Sequence, residues 1–141
     1  MKRVFVLFAA LAAGAVGAAP PHMKPGLWET TVSVEMSGMP PGMPQSVPPT
    51  TVQHCYRPKD TKDLRSTVPK KSNCAVSDWK ETGNTVTWTM KCSGAAAMTM
   101  TGKMTYNGDR YSGVGKATMD MGGRSMQMTQ NFQARRVGDC K

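Results

Sequence analysis

An all-β domain, a single antiparallel meander of about seven strands curled into a barrel or sandwich with one short helical turn, follows from three observations. From Met98 to Phe132 the residues Met98, Met100, Met104, Tyr106, Tyr111, Ala117, Met119, Met121, Met126, Met128 and Phe132 keep to alternate positions within each run. A period of two gathers such side chains on one face of a strand and leaves the polar ones on the other. The runs are separated by Thr82-Gly83-Asn84, Asn107-Gly108 and Gly122-Gly123, short connections of the kind that close hairpins. Four widely spaced cysteines, Cys55, Cys74, Cys92 and Cys140, suit a framework of two disulfides around a modest core.

The chain opens with Lys2 and Arg3, an apolar run from Val4 to Ala13 and the small residues Gly14 to Ala19. Charge, short apolar core and small residues in that order read as a signal peptide over residues 1–18, cleaved after Ala18, with Ala15 and Ala19 as alternative sites. The run is too short for a stable membrane-spanning helix and no later segment is longer, so the mature domain, residues 19–141, is expected to be soluble and periplasmic or secreted. Without Lys2 and Arg3 the 18 basic residues fall to 16 against nine acidic ones, a net charge of +7. That balance favours an anionic envelope component as partner. The basic residues are scattered, with only Lys70-Lys71 and Arg135-Arg136 adjacent, which argues against nucleic acid.

Residues 19–23 are Pro-rich and read as a frayed start. Lys24-Pro25-Gly26 then turns into a first strand with Trp28, Thr30, Val32, Val34 and Met36 on one face. Residues 37–49 hold five prolines and read as an exposed Pro/Met-rich loop. A second strand is expected over Thr50–Tyr56, with Val52, His54 and Tyr56 sharing a side. A helical turn follows over Asp60–Ser66, capped by Asp60 and with Leu64 inward. Cys74–Lys80 and Thr85–Cys92 form a hairpin. With a three-residue connection Glu81 faces Thr85, Val76 faces Met90, Cys74 faces Cys92, and Trp79 lies on the opposite face from Trp88. That register favours Cys74–Cys92 and leaves Cys55–Cys140, while a two-residue Gly83-Asn84 turn would shift it by one. A turn at Asn107-Gly108 sets Met104 opposite Tyr111, Gly102 opposite Gly113 and Met100 opposite Gly115. A turn at Gly122-Gly123 sets Met119 opposite Met126, Ala117 opposite Met128 and Gly113 opposite Phe132.

The Lys24-Pro25-Gly26-Leu27-Trp28-Glu29 entry, the Met/Pro/Gly segment after the first strand, the spaced cysteines and the Gly138-Asp139-Cys140 ending resemble a family of small exported bacterial proteins known only as a domain of unknown function. The resemblance spans nearly all of the mature chain and implies an envelope protein. It carries no activity and no functional residues to transfer.

Twelve methionines follow the signal peptide. On strands, Met-x-Met pairs either fill a core or line a pliant apolar surface. An apolar ligand such as a lipid tail or hydrophobic peptide is therefore expected to meet Met98, Met100, Met104, Met119, Met121, Met126 and Met128. The alternative cofactor is copper, because thioethers favour Cu(I) and Met36, Met39 and Met43 lie in or beside the Pro-rich loop. A purely structural envelope role is the third reading, and none of the three requires a resident cofactor except the copper one. Catalysis finds no support: His54 adjoins a cysteine expected to be oxidised, the carboxylates are scattered, and no phosphate loop or hydrolase serine motif is present.

Overall fold

The computed structural model describes residues 22–68, 72–94 and 97–141, together with the backbone but not the side chain of Met121. The expected signal peptide and its cleavage sites lie outside the described residues. Seven strands form one antiparallel sheet in the order β2-β1-β7-β6-β5-β4-β3. They are β1 (Gly26–Ser37), β2 (Ser46–Tyr56), β3 (Cys74–Thr82), β4 (Thr85–Cys92), β5 (Met98–Tyr106), β6 (Arg110–Met121) and β7 (Arg124–Gly138). A helical turn, α1 (Pro58–Lys62), and a 3-10 turn over Leu64–Thr67 stand between β2 and β3. From β3 to β7 the chain is a plain meander. The β1–β2 hairpin then joins the far side of β7, so β2 and β3 are the two edges and the sheet stays open.

The β1–β7 junction pairs Trp28 with Arg136 and Met36 with Met128, residues about a hundred positions apart. No local pattern predicts it. It satisfies the second edge of β7 and buries the apolar face of β1 beside that of β7. Gly26 begins β1 at φ +144°, and a side chain there would run into Arg136 and the Gly138 carbonyl. The Arg136 guanidinium donates to the Pro25 carbonyl at 2.8 Å, so the turn before Leu27 is gripped by the last strand.

Several local expectations need correction. Strand β2 starts at Ser46, so the connection after β1 spans only residues 38–45. Pro48 and Pro49 fall inside β2 where the register with β1 slips between Val32 and Val34. An outermost strand at a bulge tolerates residues that cannot donate to a ladder. The helical turn begins earlier, with Pro58 at its first position and Asp60 accepting from the Arg57 amide at 2.9 Å, while Leu64 is buried as expected. The start is not frayed at its inner end. Met23 is 4% exposed and bridges to Gly108, and the Lys24 amide donates to the Gly108 carbonyl at 2.8 Å.

The β3–β4 turn is the two-residue Gly83-Asn84, with Thr82 opposite Thr85 and Glu81 opposite Val86. A bulge between Ser77 and Lys80, with Asp78 at φ +53°, takes up the extra residue, so Val76 still faces Met90 and Cys74 still faces Cys92. The bulge also moves Trp79 onto the same side as Trp88. Its indole donates to Glu81 Oε1 at 2.8 Å, and the Arg65 guanidinium lies 5.5 Å from the ring centroid. The β5–β6 turn sits one residue later than expected, at Gly108-Asp109, closed by the Asn107 amide on the Arg110 carbonyl at 2.8 Å. Pairing therefore moves by two: Met104 faces Gly113, Gly102 faces Gly115 and Met100 faces Ala117. A shift of two keeps every side chain on its face. The β6–β7 register is as expected, with Met119 opposite Met126, Ala117 opposite Met128 and Gly113 opposite Phe132.

Both disulfides form in the expected pairing. Cys74–Cys92 joins opposed residues of β3 and β4, with Cα atoms 4.0 Å apart. Cys55–Cys140, at 5.6 Å, fastens the chain end after β7 to β2 across the start of β1. Bridges of this kind persist in oxidising compartments.

Candidate binding face

One side of the sheet, the inner face, carries the apolar side chains, and two segments decide how much of it is covered. At the end where β1 begins, Trp28 is fully buried, stacked on Tyr111 at 5.4 Å and edge-on to Tyr56 at 6.4 Å. Tyr106 packs 5.6 Å from Tyr111, whose hydroxyl shares a 2.9 Å hydrogen bond with Thr30 Oγ1. Leu64 and Val68 from the helical segment and Met23 from the N-terminal segment close this cluster. Burial pushes the Tyr56 phenol well above the usual tyrosine range and raises that of Tyr106, and for both the nearby Tyr111 adds to the effect.

The middle of the face is paved by glycines. Trp88 lies on Gly102, the sulfur of Met104 lies over Gly113, and Phe132 and Met100 approach the site of an absent Gly115 side chain at 3.5 and 3.6 Å. The sequence-based pairing of Gly113 with Phe132 is correct, yet Met104 fills the space over Gly113 and the Phe132 ring leans toward Gly115.

The far end belongs to methionine. Successive registers align Met36, Met128, Ala117, Met100 and Met90 in one row across β1, β7, β6, β5 and β4. The next row holds Met126, Met119 and Met98 and runs into Cys92 and Cys74. Met90 and Met100 are buried and belong to the core. Met36, Met98, Met104, Met119, Met126 and Met128 are half-buried. Of Met121 only the pairing with Arg124 is described. Opposed residues on neighbouring strands stand about 4.5–5.5 Å apart, so the two rows form one apolar surface of thioethers with Ala117 set among them.

Of three exposed valines on the inner face, Val47 and Val76 extend that surface, while Val52 lies at the tryptophan end, in the row of Thr30, Ala134, Tyr111 and Tyr106. Val47 and Val52 on β2 and Val76 on β3 are 43%, 52% and 42% exposed, and their partners Val34, Thr30 and Met90 set them on the inner face. Alternation grouped Val34 with Trp28 in β1 and Val52 with Tyr56 in β2, and the β1–β2 register sets both groups on this side. Val47 was missed because its segment reads as a proline loop. Gln130 is the one amide among the methionines, its Nε2 3.7 Å from Met128 Sδ.

The loop set separates. Met36 belongs to the inner face opposite Met128, Met39 is half-buried in the connection, and Met43 is 53% exposed. Among the described residues no group of three His, Cys, Asp or Glu side chains is arranged to hold a metal. All four cysteines are bridged, so none offers a thiolate as ligand or nucleophile. No helix of the described residues is long and apolar enough to cross a membrane.

No curated protein and no solved structure shows significant similarity to the chain. Residues 23–140 match one family model, described as Protein of unknown function (DUF3617).

Proposed function

The chain belongs to the DUF3617 family, whose function is unknown, and we propose that this member is a non-enzymatic binding protein of an oxidising extracytoplasmic compartment, periplasmic or secreted, that takes an apolar chain along its methionine rows. The carrying observation is the half-burial of Met36, Met98, Met119, Met126 and Met128 in two adjacent rows that continue from a packed core. A core filled for its own sake would be as closed at this end as at the tryptophan end, where the helical and N-terminal segments cover it.

Methionine suits such a role because its unbranched thioether repacks around varied shapes. Each methylene of a bound chain removed from water contributes about 0.8 kcal/mol. Gln130 offers an amide within the strip that can meet an ester or amide of the occupant. An acyl chain of an envelope lipid has this chemistry.

Native mass spectrometry of protein purified from its own envelope tests the reading. An added lipid mass that disappears on delipidation and returns with a palmitoyl lysophospholipid is the expected result. Met119→Gln with Met126→Gln should weaken uptake at least tenfold, while the Leu pair retains it. Bare protein that takes up no lysophospholipid would refute the proposal, and a copper mass in place of a lipid would shift it to a thioether metal site.

A further inference from the structure

The outward face carries a different surface. Three clefts of about 380, 370 and 340 Å³ lie on that side, and neighbouring clefts share lining residues. The first, between β1, β7 and β6, shares Ser112 and Gln133 with the second, and the second shares Lys103 and Val114 with the third, which reaches Asp78 on β3. They join into one diagonal groove. It crosses five strand spacings of about 4.8 Å, roughly 24 Å in all.

We propose that this groove binds an extended anionic polysaccharide, on a surface separate from the apolar inner face. Its outward side chains are mainly neutral hydrogen-bonding groups, among them Thr87, Thr101, Thr105, Ser112, Asn131 and Gln133. Val114 is the single outward aliphatic residue in the lining. Cations are spaced among them: Arg110 and Arg135 in the first cleft, Lys103 in the second, Lys103 and Lys116 in the third.

The lining carboxylates are Glu29 and Asp78. Glu29 is engaged by Arg135 at 2.8 Å, which holds its carboxyl below the usual range. Among the described residues Arg110, Lys103 and Lys116 enter no ion pair. The groove therefore carries a positive excess facing a field of hydroxyls and amides.

That mixture selects the occupant by chemistry. A polysaccharide with one carboxylate per sugar presents many hydroxyls and a regular sparse charge, which charge-assisted hydrogen bonds from Lys and Arg can meet. Single-stranded nucleic acid would call for outward aromatic platforms, and a protein partner for a buried aromatic anchor; no outward side chain in the lining supplies either.

The test uses the mature chain with both disulfides intact and an alginate-derived hexauronate followed by calorimetry. Maltohexaose, which has hydroxyls without charge, and inorganic polyphosphate, which has charge without hydroxyls, are the comparison probes. Binding of hexauronate at least tenfold tighter than of either is expected. Lys103→Gln with Lys116→Gln should weaken it at least tenfold at unchanged melting temperature, and Lys59→Gln on α1 should leave it within twofold. Absence of hexauronate binding, equal affinity for polyphosphate, or an equal loss in the Lys59 variant overturns the proposal. Because the probe has no apolar chain, the outcome is independent of lipid uptake on the inner face.

Discussion

The indole of Trp88 lies against the backbone of Gly102, on the strand beside it, in the space a side chain at Gly102 would occupy. Gly115, directly across from Gly102 on β6, has its nearest neighbours at ordinary contact distance. Two opposed glycines thus have unequal tolerances.

Gly102→Ala is expected to destabilise the fold by about 1–3 kcal/mol through overpacking, with Trp88 fluorescence shifted as the ring is displaced. Gly115→Ala should change stability by less than about 1 kcal/mol, since strand glycines gain from a side chain where space exists. Urea unfolding of the two variants checks the contrast. Equal losses would mean that the Trp88 ring can move aside without cost.

The two disulfides should differ in worth. The Cys55–Cys140 bridge spans 85 residues and the Cys74–Cys92 bridge 18, so loop-closure entropy assigns them roughly 5 and 3 kcal/mol respectively. Replacing Cys55 and Cys140 together by Ala should lower the urea midpoint further than replacing Cys74 and Cys92. The reverse order would show that residual structure in the unfolded chain, rather than loop length, governs the effect.

Alkali should unfold the protein through its tyrosines. Burial raises the Tyr56 and Tyr106 phenols above the unfolded value near 10, so the folded state holds protons that the unfolded state has lost. Their contribution is fully present below about pH 10 and declines as pH rises from there toward the folded values. Absorbance of tyrosinate near 295 nm should therefore rise together with loss of near-UV circular dichroism. Tyr56→Phe should move that transition to higher pH relative to its own neutral-pH stability. A tyrosinate signal from Tyr56 and Tyr106 near pH 10 in a still-folded protein would contradict this.

Much of the fold was legible because β-structure writes itself locally. Alternation assigned faces in β1 and in β4 to β7, and Gly122-Gly123 set the β6–β7 register. A turn misplaced by one residue at Gly108-Asp109 left the faces intact, since it displaced the pairing by two. At Gly83-Asn84 two departures cancelled: the shorter turn displaced β3 by one and the Asp78 bulge restored it, so Cys74 met Cys92 through a different path. Between the turn and the bulge nothing restored the phase, and Trp79 changed sides.

The sequence by itself determined that the chain is all-β and, outside β3, which residues share a face, because those follow from neighbours a few residues apart and from the period of the strand; it favoured the cysteine pairing, which the structure reaches only through the Asp78 bulge. Tertiary structure decided the rest. The pairing of β1 with β7 set Met36 beside the methionines of β7, about ninety residues away, and the coverage of the tryptophan end by Met23, Leu64 and Val68 left the other end half-open. Whether an alternating methionine is core or surface depends on what packs over it, and strand periodicity holds no information about that.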